Sequence, residues 1–181
     1  SEGFSETLAA SMPENAIIAD EGVSFGRAFF SYSHGAPAHD WIQVSGGAIG
    51  GGMPLATGAA VAGGGRRVIN TQADGSAMYT ISALWTQARE NLDVTTVIFN
   101  NGAYDILRIE LQRVGAENAE SPGPKALDLL DLGRPTIDFV KIAEGHGVNA
   151  MRAETTDQFA AAFAEAMRMP GPHLIEAVLI V

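Results

Sequence analysis

Short unbroken apolar runs alternate along the chain with stretches in which apolar residues recur every three or four positions. The first pattern predicts buried strands and the second amphipathic helices. A helix is expected over residues 5–12, closed by Pro13, and a buried strand over 16–20. A further strand is expected over 41–44. Residues 46–52 hold five glycines in seven positions, and Pro54 then opens a segment of small residues running to Ala62. Proline is favourable at a first helical position, and small residues suit close packing against a neighbouring backbone. Strands are expected over 67–72 and 94–99, the latter rich in β-branched and aromatic residues. Helical spacing covers 77–89 and 104–113. Residues 115–135 contain three prolines and three glycines, and read as a long surface loop with one helical turn over 126–130. A helix over 136–144, a strand over 148–152, a helix over 156–167 capped by Thr155 or Thr156, and a strand over 174–179 complete the pattern. Helices alternating with continuous apolar strands imply a mainly parallel sheet covered on both faces, a doubly wound α/β domain. Ligands then belong beyond the carboxyl ends of the strands.

Composition narrows the functional classes. The 181 residues are 46% hydrophobic and 18% charged, enough apolar material for one sizeable core. The formal net charge of −10 argues against nucleic acid or anionic membranes as main partners. There is no cysteine, so thiolate metal sites, disulfides and cysteine nucleophiles are excluded, and a cytoplasmic setting is expected. No apolar run reaches the roughly 18 residues of a membrane span. The chain opens on Ser1, which fits a processed chain or a piece of a longer one.

The chemistry concentrates at two predicted strand ends. Asp74 ends one strand, and Asn101 follows the end of the next strong one 27 residues on. That interval holds a turn, a helix and a strand, which is what sets two parallel strand tips side by side. A carboxylate and a carboxamide meeting there offer oxygen ligands to a hard cation such as Mg²⁺. Gly102 permits a sharp turn that would add the Ala103 carbonyl. Gly75 and Ser76 stand at the amino end of a helix, where free N–H groups and a partial positive charge suit a phosphate. A capping aspartate and two turn asparagines are the plain alternative.

Asp74-Gly75-Ser76 followed by Asn100-Asn101, with the upstream Gly46-Gly47-Ala48-Ile49-Gly50-Gly51-Gly52-Met53-Pro54-Leu55-Ala56, resembles the signature of thiamine-diphosphate-dependent enzymes. Residues 76–85 and 100–107 are similar to the benzoylformate decarboxylase and acetolactate synthase branches. The resemblance covers nearly all of residues 1–181 as a single diphosphate-binding (PP) domain. It implies Mg²⁺ held by Asp74, Asn101 and the Ala103 carbonyl, and diphosphate met by Gly75, Ser76 and the Tyr104 amide region. It further implies a Gly47 carbonyl near the cofactor's 4′-amino group and Ile49 as the wedge that bends the cofactor. The segment Glu21, Gly22, Val23 and Ser24 also reaches the cofactor in this reading. Ala73 departs from the family, which has glycine there. Leu107, with Glu110 one turn on, is expected in the substrate pocket. An apolar residue at Leu107 matches the benzoylformate decarboxylase and acetolactate synthase branches, whereas the pyruvate decarboxylase branch has an acid.

The implied activity is decarboxylation or ligation of a 2-oxo acid, most of all acetolactate synthase-like, with a benzoylformate decarboxylase-like lyase as the alternative. The family's catalytic glutamate belongs to a pyrimidine-binding domain that is not in this sequence. The chain is therefore expected to be part of a larger subunit or half of a split enzyme, inactive alone and working in a homo-oligomer, dimer or tetramer. A middle domain that binds FAD in some relatives likewise lies outside the sequence.

Another class is open from the residues. Gly22-Val23-Ser24-Phe25-Gly26 matches the nucleophile elbow of serine hydrolases, with Asp138 and His146 or His173 as partners. The chain is short for that fold, and the elbow leaves the glycine-rich stretch and the Asp74–Asn101 pair unexplained. Gly63-Gly64-Gly65-Arg66-Arg67 lacks the ending of a phosphate loop and reads as a tight turn.

Overall fold

The computed structural model describes residues 2–114 and 123–179. Residues 115–122 of the expected loop lie outside the described residues. Strands β1 (Ile17–Glu21), β2 (Asp40–Gln43), β3 (Val68–Ala73), β4 (Val94–Asn100), β5 (Asn149–Ala153) and β6 (His173–Val178) form one sheet in the order β2-β1-β3-β4-β6-β5. All five pairings between these strands are parallel. Their boundaries fall within about one residue of the apolar runs, because the central strands are buried on both faces along nearly their whole length.

Side-chain alternation sends successive strand residues to opposite faces. On one face Ile18, Ile69, Val97, Phe99 and Ile175 pack with Phe4 and Leu8 of α1 (Glu2–Ser11) and Phe29 of α2 (Val23–Ser33). Phe159 and Phe163 of α9 (Thr156–Arg168) join the same cluster. On the other face Ile98 and Leu174 meet Met53 of α3 (Gly52–Ala62), Leu84 of α5 (Ala83–Arg89) and Phe139 of α8 (Phe139–Gly145). Each fully buried Phe, Leu or Ile in these layers contributes about 1.5–3 kcal/mol. The doubly wound α/β architecture is thus observed. Among the described residues no helix is long and apolar enough to cross a membrane.

Three local expectations are corrected. Residues 23–33, to which the apolar pattern assigns no element, form α2; a Cβ on Gly22 would come within 2.6 Å of the Gly26 Cα, so these glycines serve close packing. The helix expected over 77–89 begins earlier, at Asp74, and breaks into α4 (Asp74–Thr80) and α5. Thr80, Ile81 and Ser82 are poor helix formers, and tight i+3 bonds from Leu84 to Ile81 and from Trp85 to Ser82 mark the break. The helix expected over 136–144 starts only at Phe139, where Asp138 caps it by accepting from the Lys141 amide at 3.1 Å. Thr155 caps α9 as expected, accepting from Gln158 at 3.2 Å.

The chain runs from β1 outward to β2, then returns to lay β3 on the other side of β1. The carboxyl tips of β1 and β3 therefore flank the point of reversal, where open parallel sheets leave a crevice.

His173 marks the opposite, amino edge. It is 1% exposed, its Nδ1 donates to the Gly171 carbonyl at 3.0 Å, and its Nε2 has no partner. Burial holds the imidazole below its ordinary value, and nearby Arg67 adds to this, against the Gly171 bond and the charges of Glu165 and Asp93. The unfolded chain then binds the extra proton first as pH falls through about 6.5. His173 contributes its stability above that pH and loses it progressively below, down to its folded value. Urea midpoints measured between pH 7.5 and 5.5 should fall, and His173→Gln should flatten the slope. An unchanged slope in the variant would remove His173 from the account.

Candidate functional site

β3 and β4 end in register, Ala73 opposite Phe99, so the next residues of both chains emerge together. Asp74 Oδ2 accepts from the amides of Asn101 (3.2 Å) and Gly102 (2.7 Å), and Oδ1 accepts from Gly75 (2.8 Å). The expected meeting of the two strand tips is thus a direct bond. Asn101 Oδ1 accepts from the Ala103 amide at 3.2 Å, closing the turn. Asp74 is 2% exposed, and among the described residues no basic side chain pairs with it. Burial pushes its carboxyl above the usual value, against the lowering effect of the amides from Gly75, Gly102, Asn101 and Ala103. A buried carboxylate with neutral donors only is electrostatically incomplete. The oxygen set of Asp74, Asn101 and Ala103 matches a hard dication. Among the described residues no three His, Cys, Asp or Glu side chains gather as a metal cage. One carboxylate leaves a dication half neutralised, so an anionic ligand is the natural complement.

A cavity opens at these tips. Asp74, Gly75, Ser76, Asn101, Ala103 and Tyr104 line one wall, and Val23, Ser24 and Ile49 the other. Ala73 also lines it, with φ −85° and ψ 151°, ordinary extended backbone that places no demand for glycine. Ser76 Oγ turns back to the Ala73 carbonyl at 3.0 Å. The Tyr104 amide is corrected: it donates to the Leu130 carbonyl at 2.9 Å and is not free for a phosphate. The Tyr104 ring instead lies over Gly75, where a Cβ would come within 2.3 Å of its Cε1. Burial, then Tyr79 and Asp74 nearby, holds the phenol above its ordinary value and neutral.

The glycine-rich stretch is fixed by a residue the motif did not single out for this task. Glu21, at the tip of β1, is buried and accepts from three successive amides: Gly50 (2.6 Å) and Gly51 (3.2 Å) on Oε1, and Gly52 (2.9 Å) on Oε2. It thereby caps the amino end of α3 from across the crevice. A Cβ on Gly52 would lie 2.7 Å from the Glu21 Cβ, so only glycine allows this approach. Gly46 and Gly47 carry φ of 69° and 68°, which turns the stretch so that Ile49, 38% exposed, reaches the cavity mouth. Gly47 lines the adjoining hollow with Glu21, Val23 and Ile49. Val23 sits at φ 48°, a left-handed conformation unusual for a β-branched residue, and it borders both spaces. Gly22 is buried behind it, donating to Asp20 Oδ1 at 3.0 Å.

Leu107 and Glu110 stand apart from the cavity. α6 (Asp105–Arg113) turns Asp105 and Ile106 inward. Leu107 is exposed, and Glu110 pairs with Arg113 at 3.3 Å. The described part of the long loop holds α7 (Pro124–Leu129) and then meets the turn after β4, where Leu132 donates to the Gly102 carbonyl at 2.8 Å. The hydrolase partners are not brought together. Ser24 follows the carboxyl tip of β1, whereas His173 opens β6 and His146 precedes β5 at the amino edge.

The chain is similar to known proteins along most of its length. Residues 24–177 match the family described as thiamine pyrophosphate enzyme, C-terminal TPP binding domain. A Mycobacterium tuberculosis protein named as an acetolactate synthase large subunit, IlvX, is 62% identical over 96% of this chain and 33% of its own length. The benzoylformate decarboxylase of Pseudomonas aeruginosa is 33% identical over 94% of this chain and 30% of its own. The solved thiamine diphosphate-dependent 4-hydroxybenzoylformate decarboxylase of Rhodococcus jostii RHA1 superposes with a TM-score of 0.83 at 35% identity, over 97% of this chain and 31% of that one. The chain spans about a third of the length of these relatives.

Proposed function

Because the chain belongs to the thiamine pyrophosphate enzymes through their C-terminal TPP-binding domain, we propose that it holds the diphosphate end of thiamine diphosphate through Mg²⁺ as the PP half of a 2-oxo acid-processing site. The observation that carries this is the buried Asp74 carboxylate, which joins two strand tips and has no cationic partner among the described residues. Asp74 would balance half the charge of Mg²⁺, and the Asn101 carboxamide and Ala103 carbonyl would complete the protein's share of its oxygens. Gly75 and Ser76, in the first turn of α4, aim the positive end of that helix at the diphosphate. When bound, thiamine diphosphate supplies the electron sink for cleavage beside a 2-oxo group. Gly47 offers its carbonyl to the cofactor's amino group, and Ile49 supports the bent cofactor. Val23 and Ser24 close the near side.

The 62% identical relative supports an acetolactate synthase-like reaction. The Rhodococcus neighbour supports decarboxylation as the second reading. The share of the relatives covered by the chain supports a single PP domain that works with a pyrimidine-binding domain of the same or a second subunit in a homo-oligomer. Leu107 and Glu110 then belong to the substrate side, which that domain completes.

Titration calorimetry should show thiamine diphosphate binding with Mg²⁺ and none with EDTA. The chain alone should not turn over 2-oxo acids. Binding that ignores EDTA, or no binding with Mg²⁺, would overturn the proposal.

A further inference from the structure

A row of polar side chains crosses the sheet near its carboxyl tips, from centre to edge. Asn100 ends β4, Glu176 lies in β6 and Arg152 in β5. Ile98 and Arg152 both pair in register with Glu176. Asn100, two residues beyond Ile98, therefore projects from the same face as both. Asn100 Nδ2 donates to Glu176 Oε1 at 2.7 Å, and Arg152 Nε donates to Oε2 at 2.9 Å. Arg152 Nη2 also reaches Asp138, the cap of α8, at 3.3 Å. Glu176 is 1% exposed, so a buried carboxylate has one oxygen committed to each side.

The consequence falls on Asn100. A carboxamide has a donor end and an acceptor end. Glu176 takes the donor end, which leaves Asn100 Oδ1 facing the Gly102 amide at 3.0 Å. That same amide donates to Asp74 Oδ2 at 2.7 Å. Were the Asn100 carboxamide reversed, its NH₂ would confront the Gly102 N–H, donor against donor, and force the turn away from Asp74. We infer that Glu176 is a positioning residue for the metal site: by dictating the orientation of Asn100, it holds Asn101, Gly102 and Ala103 in the turn that faces the cation. The inference rests on the metal reading given above, but the orientation itself does not.

Two double variants separate positioning from bulk stability. Arg152→Met with Glu176→Met replaces the pair, in which Glu176 is buried and Arg152 exposed, by apolar side chains of similar size, so that no buried carboxylate is left unpaired. Arg152→Met with Glu176→Gln removes the same ion pair but keeps an oxygen for Asn100 Nδ2. In the metal-free chain, exchange of the Gly102 amide should quicken about tenfold in the Met/Met variant and stay near wild type in the Gln-bearing one. With thiamine diphosphate present, Mn²⁺ affinity followed by electron paramagnetic resonance should fall roughly 10- to 100-fold in the Met/Met variant. It should stay within about threefold of wild type in the Gln-bearing variant. Equal behaviour of the two variants in both measurements would overturn the inference. The expected Gly102 exchange pattern in a chain that binds no Mn²⁺ would sustain the orientation and overturn the metal reading instead.

Discussion

Asp74→Asn keeps the fold and loses the metal-dependent grip on thiamine diphosphate. The asparagine retains one oxygen for the Asn101 and Gly102 amides, which the native carboxylate receives at 3.2 and 2.7 Å. It also relieves the burial that pushes the native carboxyl upward, but its NH₂ then meets the Gly75 amide that Oδ1 accepted from at 2.8 Å, so stability should fall by about 1–3 kcal/mol while the fold is kept. The negative charge is gone, and with it the one carboxylate among the three proposed Mg²⁺ ligands; Asp105, which also lines the cavity, lies outside that set. Mg²⁺-dependent affinity should fall by roughly 100-fold or more, about 3 kcal/mol. In a thermal melt with Mg²⁺ and cofactor at about 100 times the wild-type dissociation constant, the wild type should gain about 2.7 kcal/mol. The variant should gain about 0.4 kcal/mol or less. A wild-type shift in Asp74→Asn would show that the cation, if bound at all, sits elsewhere.

Glu21→Ala should be the most destabilising single change at the site. It removes the shared acceptor of three neighbouring amides, those of Gly50, Gly51 and Gly52, two of them in buried bonds. Each stranded donor costs about 1–3 kcal/mol, and their shared partner makes the losses less than additive. A total on the order of 3–5 kcal/mol follows, which for a chain of this size lowers the melting temperature by about 10 °C. Glu21→Gln, with one acceptor oxygen left, should lose less. Because the same carboxylate fixes the stretch that carries Gly47 and Ile49, cofactor affinity should drop along with stability. A melting temperature within 2 °C of wild type in Glu21→Ala would show that the capping bonds are dispensable.

The difference between these two acidic residues explains what the sequence discloses and what it hides. Asp74 and Asn101 are legible because a parallel pair with a helical crossover admits few geometries, and the interval between them fits one of those. The strands are legible for the same reason: burial on two faces leaves an unbroken apolar record. Glu21 is a different case, since no pattern states which amides a carboxylate will reach across a crevice. Its signal is only a pair of acidic residues, Asp20 and Glu21, ending an otherwise apolar strand. The orientation of α6 is likewise hidden. Its first turn sends Ile106 inward and leaves Leu107 outside, and that depends on the turn before it and not on the helix's own residues. The Tyr104 amide was expected to be free because its partner, the Leu130 carbonyl, lies 26 residues further along the chain. α2 was obscured by glycines whose purpose is proximity and not reversal of the chain.

The stitch between Leu130–Leu132 and Gly102–Tyr104 has a consequence for how such a protein diverges. The segment it anchors is surface chain, where substitutions accumulate at little cost to folding. Yet it is laced to the backbone of the turn that carries the proposed cation ligands Asn101 and Ala103. Evolution can therefore retune that grip, tighter or looser, by editing a peripheral stretch while every ligand stays the same, so two homologues with identical signatures need not hold their cofactor equally well.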